Sequence, residues 1–202
     1  MGQEAECVVR YGKLQSTGKA LLETGELIFR GDFRLKIPFS GIETMRAVNG
    51  ELKVQTAEGL AIFELGPLAA KWRDKILHPQ TRLEKLGLKA GKTISLIGAF
   101  DEEFRTELRG VTKSIHEGKV EAGCENIFLA AGTAKDLSRI AKIAAAMKGA
   151  MALWVVCPKG KEEPSENDVL AAGRKAGLKD IKVVGFSATH TALKFVIPLS
   201  RR

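Results

Sequence analysis

The sequence predicts a chain of two parts, an α+β half over residues 1–78 and an α/β half over residues 79–202. Three observations carry this. Short runs of alternating polarity, separated by Thr24-Gly25, Asn49-Gly50 and Glu58-Gly59, fill most of the first half and read as antiparallel hairpins. Apolar runs at Thr93–Ile97, Asn126–Ala131 and Ala150–Val156 alternate with helical patterns in the second half, which is the signature of a mostly parallel sheet. Between the halves stands Pro79, which disfavours helix at the residue before it.

Taken in order, the first half holds strand candidates at Ala5–Arg10, Lys19–Glu23, Glu26–Arg30, Phe33–Pro38, Ile42–Val48, Glu51–Thr56 and Leu60–Leu65. Gly12 and Gly18 mark a loop after the first. In the fourth, Phe33, Leu35 and Ile37 share one face and Arg34 and Lys36 the other, the period-two pattern of a half-buried strand. Gly66-Pro67 opens a helix, where the missing N–H of proline costs nothing. Leu68, Trp72 and Ile76 form its apolar stripe, and it ends near His78.

In the second half, Pro79–Gly87 reads as a short helix with a Thr81/Glu84 capping box and a closing Gly87. Thr93–Ile97 is apolar on both faces, as a central parallel strand is. Asp101, Glu102 and Glu103 open the next helix, where acids suit the positive end of its dipole, and it is expected to reach about Leu108 before Arg109-Gly110. Val111–Ile115 is a candidate second strand. Asn126–Ala131 follows, then Thr133 and Asp136 as the capping box of one helix, Ala134–Lys148, stopped by Gly149. Ala150–Val156 runs into Cys157-Pro158-Lys159-Gly160-Lys161. Ser165 and Asp168 cap a helix that contains Gly173 and closes at Gly177. Asp180–Phe186 and Thr191–Pro198 form the terminal hairpin, joined by Ser187-Ala-Thr-His190.

Composition narrows the function classes. The chain has 202 residues and a net charge of +8. Residues 1–78 carry 11 Lys/Arg against 10 Asp/Glu, and residues 79–202 carry 21 against 14. The basic excess is interleaved with acids, no basic run exceeds two residues (Arg174-Lys175, Arg201-Arg202), and few aromatics are available to stack on bases, so nucleic-acid binding is disfavoured. No apolar run approaches the roughly 20 residues needed to span a bilayer. The opening Met-Gly-Gln-Glu-Ala-Glu lacks the pattern of a signal peptide. Cys7, Cys124 and Cys157 are scattered and odd in number, which reads as free thiols of a cytoplasmic protein. His78, His116 and His190 have no metal-ligand spacing, so no metal ligand is assigned.

The first half, through Ala20-Leu-Leu-Glu-Thr-Gly-Glu-Leu-Ile-Phe-Arg30 and the helix bearing Trp72, resembles the pleckstrin-homology-like superfold, a seven-stranded barrel closed by a C-terminal helix. Some relatives bind inositol phosphates through a basic loop between the first two strands. Here that loop is Tyr11–Lys19, with Lys13 and Lys19 but no Lys-x-Arg on the adjoining strand. A phosphate site needs several converging donors, so membrane binding is disfavoured and a protein-contact surface is the more natural use.

The second half resembles a reduced class I methyltransferase, a Rossmann-like sheet whose last strand inserts antiparallel beside the one before it. About 25 residues separate Phe100 from Asn126, too few for the usual complement, so one strand is expected to be missing from that edge. Five phrases in order resemble a bacterial domain family of unknown function: Lys85-Leu-Gly-Leu-Lys-Ala-Gly91, Leu96-Ile-Gly-Ala99, Ala152-Leu-Trp-Val-Val-Cys-Pro-Lys159, Ala176-Gly-Leu-Lys-Asp-Ile-Lys-Val183 and Ala192-Leu-Lys-Phe-Val-Ile-Pro198.

The methyltransferase resemblance implies a cofactor loop of the form Asp/Glu-x-Gly-x-Gly-x-Gly. On this chain the acid position falls on Leu96 and the glycine positions on Gly98, Phe100 and Glu102. Phe100 would take up ligand space and Glu102 would oppose a carboxylate. Glu117 and Glu121 are the acids available for a ribose. A surviving pocket would lie outside the carboxyl ends of the strands, at Gly98, Phe100 and Asp101, at Gly132 and Thr133, and at Pro158 and Lys159. Lys159 is the first charge after a buried strand and is suited to a phosphate or carboxylate. Ser187, Thr189 and His190 share a loop without an acid, so no catalytic residue is assigned. The expected function is therefore binding of a protein partner or of a second copy, without catalysis and without cofactor. A divergent S-adenosylmethionine-dependent methyltransferase, or another nucleotide-using enzyme, is one alternative, and peripheral binding to an anionic membrane through the first half is the other.

Overall fold

A computed structural model describes residues 2–160 and 163–201; Met1, Arg202 and the Lys161 named above lie outside them. The chain divides into two compact units, Met1–Gln80 and Thr81–Arg202.

The first unit is one antiparallel sheet of β1 (Gln3–Tyr11), β2 (Leu14–Leu22), β3 (Glu26–Arg30), β4 (Arg34–Pro38), β5 (Ile42–Val48), β6 (Glu51–Thr56) and β7 (Gly59–Glu64), in the order β4-β3-β2-β1-β7-β6-β5. Helix α1 (Leu68–Leu77) follows. Ile37 from one end of the sheet and Leu52 and Val54 from near the other belong to a single core with Phe29, Phe63 and Trp72. A sheet can bury both ends in one core only by curling around it, and α1 supplies the remaining wall through Trp72 and Ala69. Asn49 and Gly50, with φ of 51° and 80°, make the left-handed pair that a two-residue hairpin requires.

One expectation is overturned here. Tyr11–Lys19 is not a loop: β2 starts at Leu14, Tyr11 pairs with Leu14, and only Gly12 and Lys13 turn the chain. Gly18 is a strand residue. A Cβ there would stand 2.3 Å from the Arg30 carbonyl oxygen, so glycine answers a close backbone approach, not a turn. Lys13 sits at the turn, while Lys19 pairs across the strands with Glu4 at 3.1 Å. The two ammonium groups do not share a loop.

The second unit contains α2 (Arg82–Leu86), β8 (Ile94–Ile97), α3 (Glu102–Val111), β9 (Ile115–Glu117), β10 (Asn126–Ala130), α4 (Ala134–Leu137), α5 (Arg139–Ala146), β11 (Ala152–Pro158), α6 (Glu166–Lys175), β12 (Lys179–Gly185) and β13 (His190–Val196). Its mixed sheet has the order β12-β13-β11-β10-β8-β9. Strands β9, β8, β10 and β11 are mutually parallel, and β13 runs antiparallel between β11 and β12. Alternate residues feed two cores. Ile127, Leu129, Leu153 and Val155 meet Ile140, Ile143 and Val169 of α5 and α6 on one face. Phe128, Trp154 and Val156 meet Leu86, Phe104 and Leu108 of α2 and α3 on the other. This is why the strands read as continuous apolar runs.

Local signals were misread at three places. Helix α3 runs through Gly110, because Thr112 N–H still bonds to the Leu108 carbonyl, and the next strand begins only at Ile115. The helix expected over Ala134–Lys148 is broken at Ser138, whose Oγ donates to the Lys135 carbonyl at 2.8 Å and competes with the helical ladder. Strand β11 begins later than expected and continues to Pro158.

Two helical glycines should respond oppositely to alanine. At Gly173 in α6 a Cβ would lie 2.2 Å from the Phe195 ring, whereas at Gly110 it meets nothing within 4 Å. Alanine is favoured over glycine in a helix interior by about 1 kcal/mol, while overpacking a core costs about 1–3 kcal/mol. Urea denaturation of Gly110→Ala should show a gain of a few tenths to about 1 kcal/mol. Gly173→Ala should show a net loss of about 1 kcal/mol or more.

Candidate functional site

The carboxyl ends of β8, β10 and β11 lie side by side, so the sequence candidates occupy three neighbouring loops. Gly98 ends β8 with φ of 96°, a conformation that strains any residue with a side chain, and a Cβ there would stand 3.1 Å from Ala130. The close approach of the β8 and β10 ends is therefore sufficient reason for glycine at this position.

The loop after Gly98 is held by its own side chains. The Phe100 ring packs against Phe104, Phe128 and Phe186 with centroid distances of 5.4, 6.4 and 6.3 Å. Asp101 caps α3, its carboxylate accepting from Phe104 N–H at 2.7 Å. The Phe100 carbonyl accepts from Arg105 Nε at 3.2 Å. Arg105 also pairs with Glu117, the last residue of β9. Glu117 thus stands at the end of the second strand, where a ribose acid is expected, but its carboxylate already has a cation. Glu121, the other acid considered, is held below the usual carboxylate range by its hydrogen bond to Lys119.

The residue that ties this end together is Arg82, which no motif marked. Its guanidinium lies over the rings of Phe104 and Phe186, at 5.1 and 4.9 Å from their centroids. It donates two hydrogen bonds to Glu107, at 2.9 and 3.0 Å, and stands 4.0 Å from Asp101 and 3.8 Å from Glu103. Its side chain is only 10% exposed. A delocalised, weakly hydrated guanidinium tolerates such a place far better than an ammonium.

The other candidates are also engaged. Thr133 N–H and Oγ1 donate to the Asp136 carboxylate at 3.0 and 2.8 Å, closing the capping box at the start of α4, beside the exposed Gly132. Pro158 ends β11 opposite His190. Lys159 Nζ donates to the carbonyls of Ser187 and Ala188 at 2.6 and 3.2 Å, so it fastens the β12–β13 hairpin loop. In that loop Ser187 Oγ accepts from the N–H groups of Thr189 and His190, and Thr189 Oγ1 meets His190 Nδ1 at 2.9 Å. The three side chains form a turn network in which, among the described residues, no acid is hydrogen-bonded to the imidazole. All three cysteines are buried. Burial pushes the thiols of Cys7 and Cys157 up to about 11, with Glu6 and Glu64 adding at Cys7 and Glu166 at Cys157, so both remain protonated, unreactive packing groups at neutral pH.

No protein-family model matches the chain, and no curated protein matches it. Among solved structures, a pericyclic reaction enzyme is similar at 12% identity over 65% of this chain and 53% of its own, with a TM-score of 0.43. An O-methyltransferase family 2 protein from Planctomyces limnophilus, in complex with apigenin, is similar at 15% identity over 56% and 44%, with a TM-score of 0.38. A SAM-dependent methyltransferase from Aquifex aeolicus is similar at 15% identity over 61% and 96%, with a TM-score of 0.37. The chain spans about half the length of the first two. Likenesses of this extent carry no argument about activity.

The Arg82 cluster generates a stability prediction. Arg82→Ala leaves Glu107 without its partner and opens space between two rings, and should cost about 2–4 kcal/mol in chemical denaturation. Arg82→Lys should recover less than half of that loss, because an ammonium can neither fork to the carboxylate nor stack flat on the rings. Full rescue by lysine would show that charge alone matters.

Proposed function

We propose that the second unit is a methyltransferase-like sheet used as a binding module without catalysis, and that the chain acts by engaging a protein partner or a second copy of itself. The observation that supports this best is the fixed loop after β8. The half-buried Phe100 ring packs against the core, its carbonyl and the Asp101 carboxylate are both hydrogen-bonded, and Glu117 is paired with Arg105. A cofactor site of the methyltransferase kind needs free backbone N–H groups and a free acid at these places, and it needs room beside them. In this chain the Asp101 and Glu117 carboxylates and the Phe100 carbonyl serve the fold instead. The curled first unit, with its exposed charges distributed over strands and with Lys13 at a turn and Lys19 in a strand, suits protein contact better than a phosphate headgroup.

The second reading, a divergent S-adenosylmethionine-dependent methyltransferase, is favoured by one observation. Gly98 and Glu117 stand at the carboxyl ends of two adjacent parallel strands, the relation that a glycine turn and a ribose acid have in such enzymes. For Glu117 to serve, Arg105 would have to release it.

Calorimetric titration with S-adenosylmethionine, paired with a thermal shift at millimolar cofactor, separates the two. The binding-module reading expects no heat and an unchanged Tm. Binding in the micromolar range overturns it, and loss of that binding in Glu117→Gln would place the cofactor at this end of the sheet.

A further inference from the structure

Strand β9 forms the free edge of the second sheet, and it carries more than an unpaired backbone. On its inner side the Ser114 carbonyl accepts from Ile94 N–H at 2.9 Å, and Gly118 N–H donates to the Leu96 carbonyl at 2.8 Å. In a parallel ladder the residues facing the partner alternate, so Ser114, His116 and Gly118 point their peptide groups at β8. The N–H and C=O groups of Ile115 and Glu117 therefore point outward, away from the sheet. Exposed strand edges of this kind are templates for one more strand.

The side chains of the same two residues line a groove of about 370 Å³ that runs between β9 and α3, with Leu96 at its floor. Its far wall is a row of cations. Arg105 and Arg109 stand one helical turn apart on α3, and Lys113 follows past Thr112, whose extended backbone ends the helix. Arg105 is committed to Glu117. Arg109 meets only Glu102, in a pair whose side chains are 58% and 70% exposed, and such pairs contribute little. Among the described residues Lys113 has no acid partner. Three cations against the single Glu117 leave the groove lining with an excess of positive charge, which favours an anion.

We propose that this edge binds an acidic segment of a partner protein in extended conformation, which adds as a strand beside β9 and directs alternate carboxylates into the groove toward Arg109 and Lys113. This rests on the binding-module reading above and names the surface and the chemistry of the partner. A strand is required because the outward peptide groups of Ile115 and Glu117 need a backbone to pair with. Acidity is required because the groove wall is cationic. Alternation is required because successive side chains of a strand point to opposite faces, and only one face meets α3. A small apolar floor at Leu96 and Ile115 accommodates the stems of glutamates.

The test uses the full chain, ¹⁵N-labelled, titrated at low salt with a capped hexapeptide alternating Glu and Thr. The expected result is a set of shift changes confined to residues 105–118 and slower amide exchange at Ile115 and Glu117. Two variants report separately. Arg109→Glu with Lys113→Glu should weaken binding by about tenfold or more through charge. Ile115→Pro removes one outward N–H while leaving the cations and the β8 ladder groups in place, and it should weaken binding by a similar factor. If Ile115→Pro does not fold, the exchange protection at Ile115 and Glu117 in the natural chain decides the point. The proposal is overturned if the matching Gln/Thr hexapeptide binds equally well, or if the Ile115→Pro variant folds and binds undiminished. It is also overturned if inorganic phosphate at equal ionic strength reproduces the same shifts. A failed peptide titration together with absent S-adenosylmethionine binding removes this surface and leaves the binding-module reading in place. Cofactor binding removes that reading first.

Discussion

Four aromatic rings and one guanidinium hold together the loops at the carboxyl end of the second sheet. Phe104 lies within 5.3 Å of Phe128 and 4.7 Å of Phe186, Phe100 joins at the rim, and Arg82 covers Phe104 and Phe186 from the side facing its acids. Edge-to-face pairs of this kind add about 0.5–1.5 kcal/mol each beyond burial. The cluster draws on α2, β10, α3 and the end of β12, elements far apart in sequence, and so fixes where the loop after β8 must run. Because Phe100 and the Asp101 cap are consecutive, the direction of that loop is set by packing and capping together. Arg105 and Glu117 then extend the same order to the edge strand.

Much of this was legible in the sequence, and the reason is locality. The capping boxes at Thr81/Glu84 and Ser165/Asp168 form as read, since donor and acceptor are three residues apart. The Asn49-Gly50 hairpin follows from backbone sterics alone. The β12–β13 hairpin was legible because two strand runs with one short turn between them pair, whereas the antiparallel insertion of β13 was expected from the methyltransferase resemblance. Gly18 departs from its local habit as a turn former for the opposite reason, since the deciding contact is with Arg30 across strands. Gly110 and Ser138 depart from theirs through local bonds, the helical ladder at Leu108 and the Lys135 carbonyl, that residue type alone does not specify.

At the candidate site the same limit appears more sharply. Gly98, Phe100, Asp101, Gly132, Thr133, Pro158 and Lys159 could be placed at strand ends from the alternation of strands and helices. What they do there could not be read. Lys159 bonds to carbonyls 28 and 29 residues away, and Arg82 bonds to Glu107, 25 residues away. A charged residue on a short helix looks like solvated surface until its partners are known. The erosion of the glycine pattern at Phe100 and Glu102 was visible; that Phe100 packs on the rim of an aromatic cluster was not.

The central claim is that the loop between β8 and α3 is ordered by the chain's own side chains and awaits no cofactor. Amide hydrogen exchange over residues 98–105 in the ligand-free full chain tests it most directly. The account predicts that Phe104, whose N–H bonds to Asp101, and Arg105 exchange as slowly as other first-turn amides of well-packed helices, and that S-adenosylmethionine leaves these rates unchanged. Fast exchange across this segment in the free chain, with protection appearing only when the cofactor is added, would contradict it.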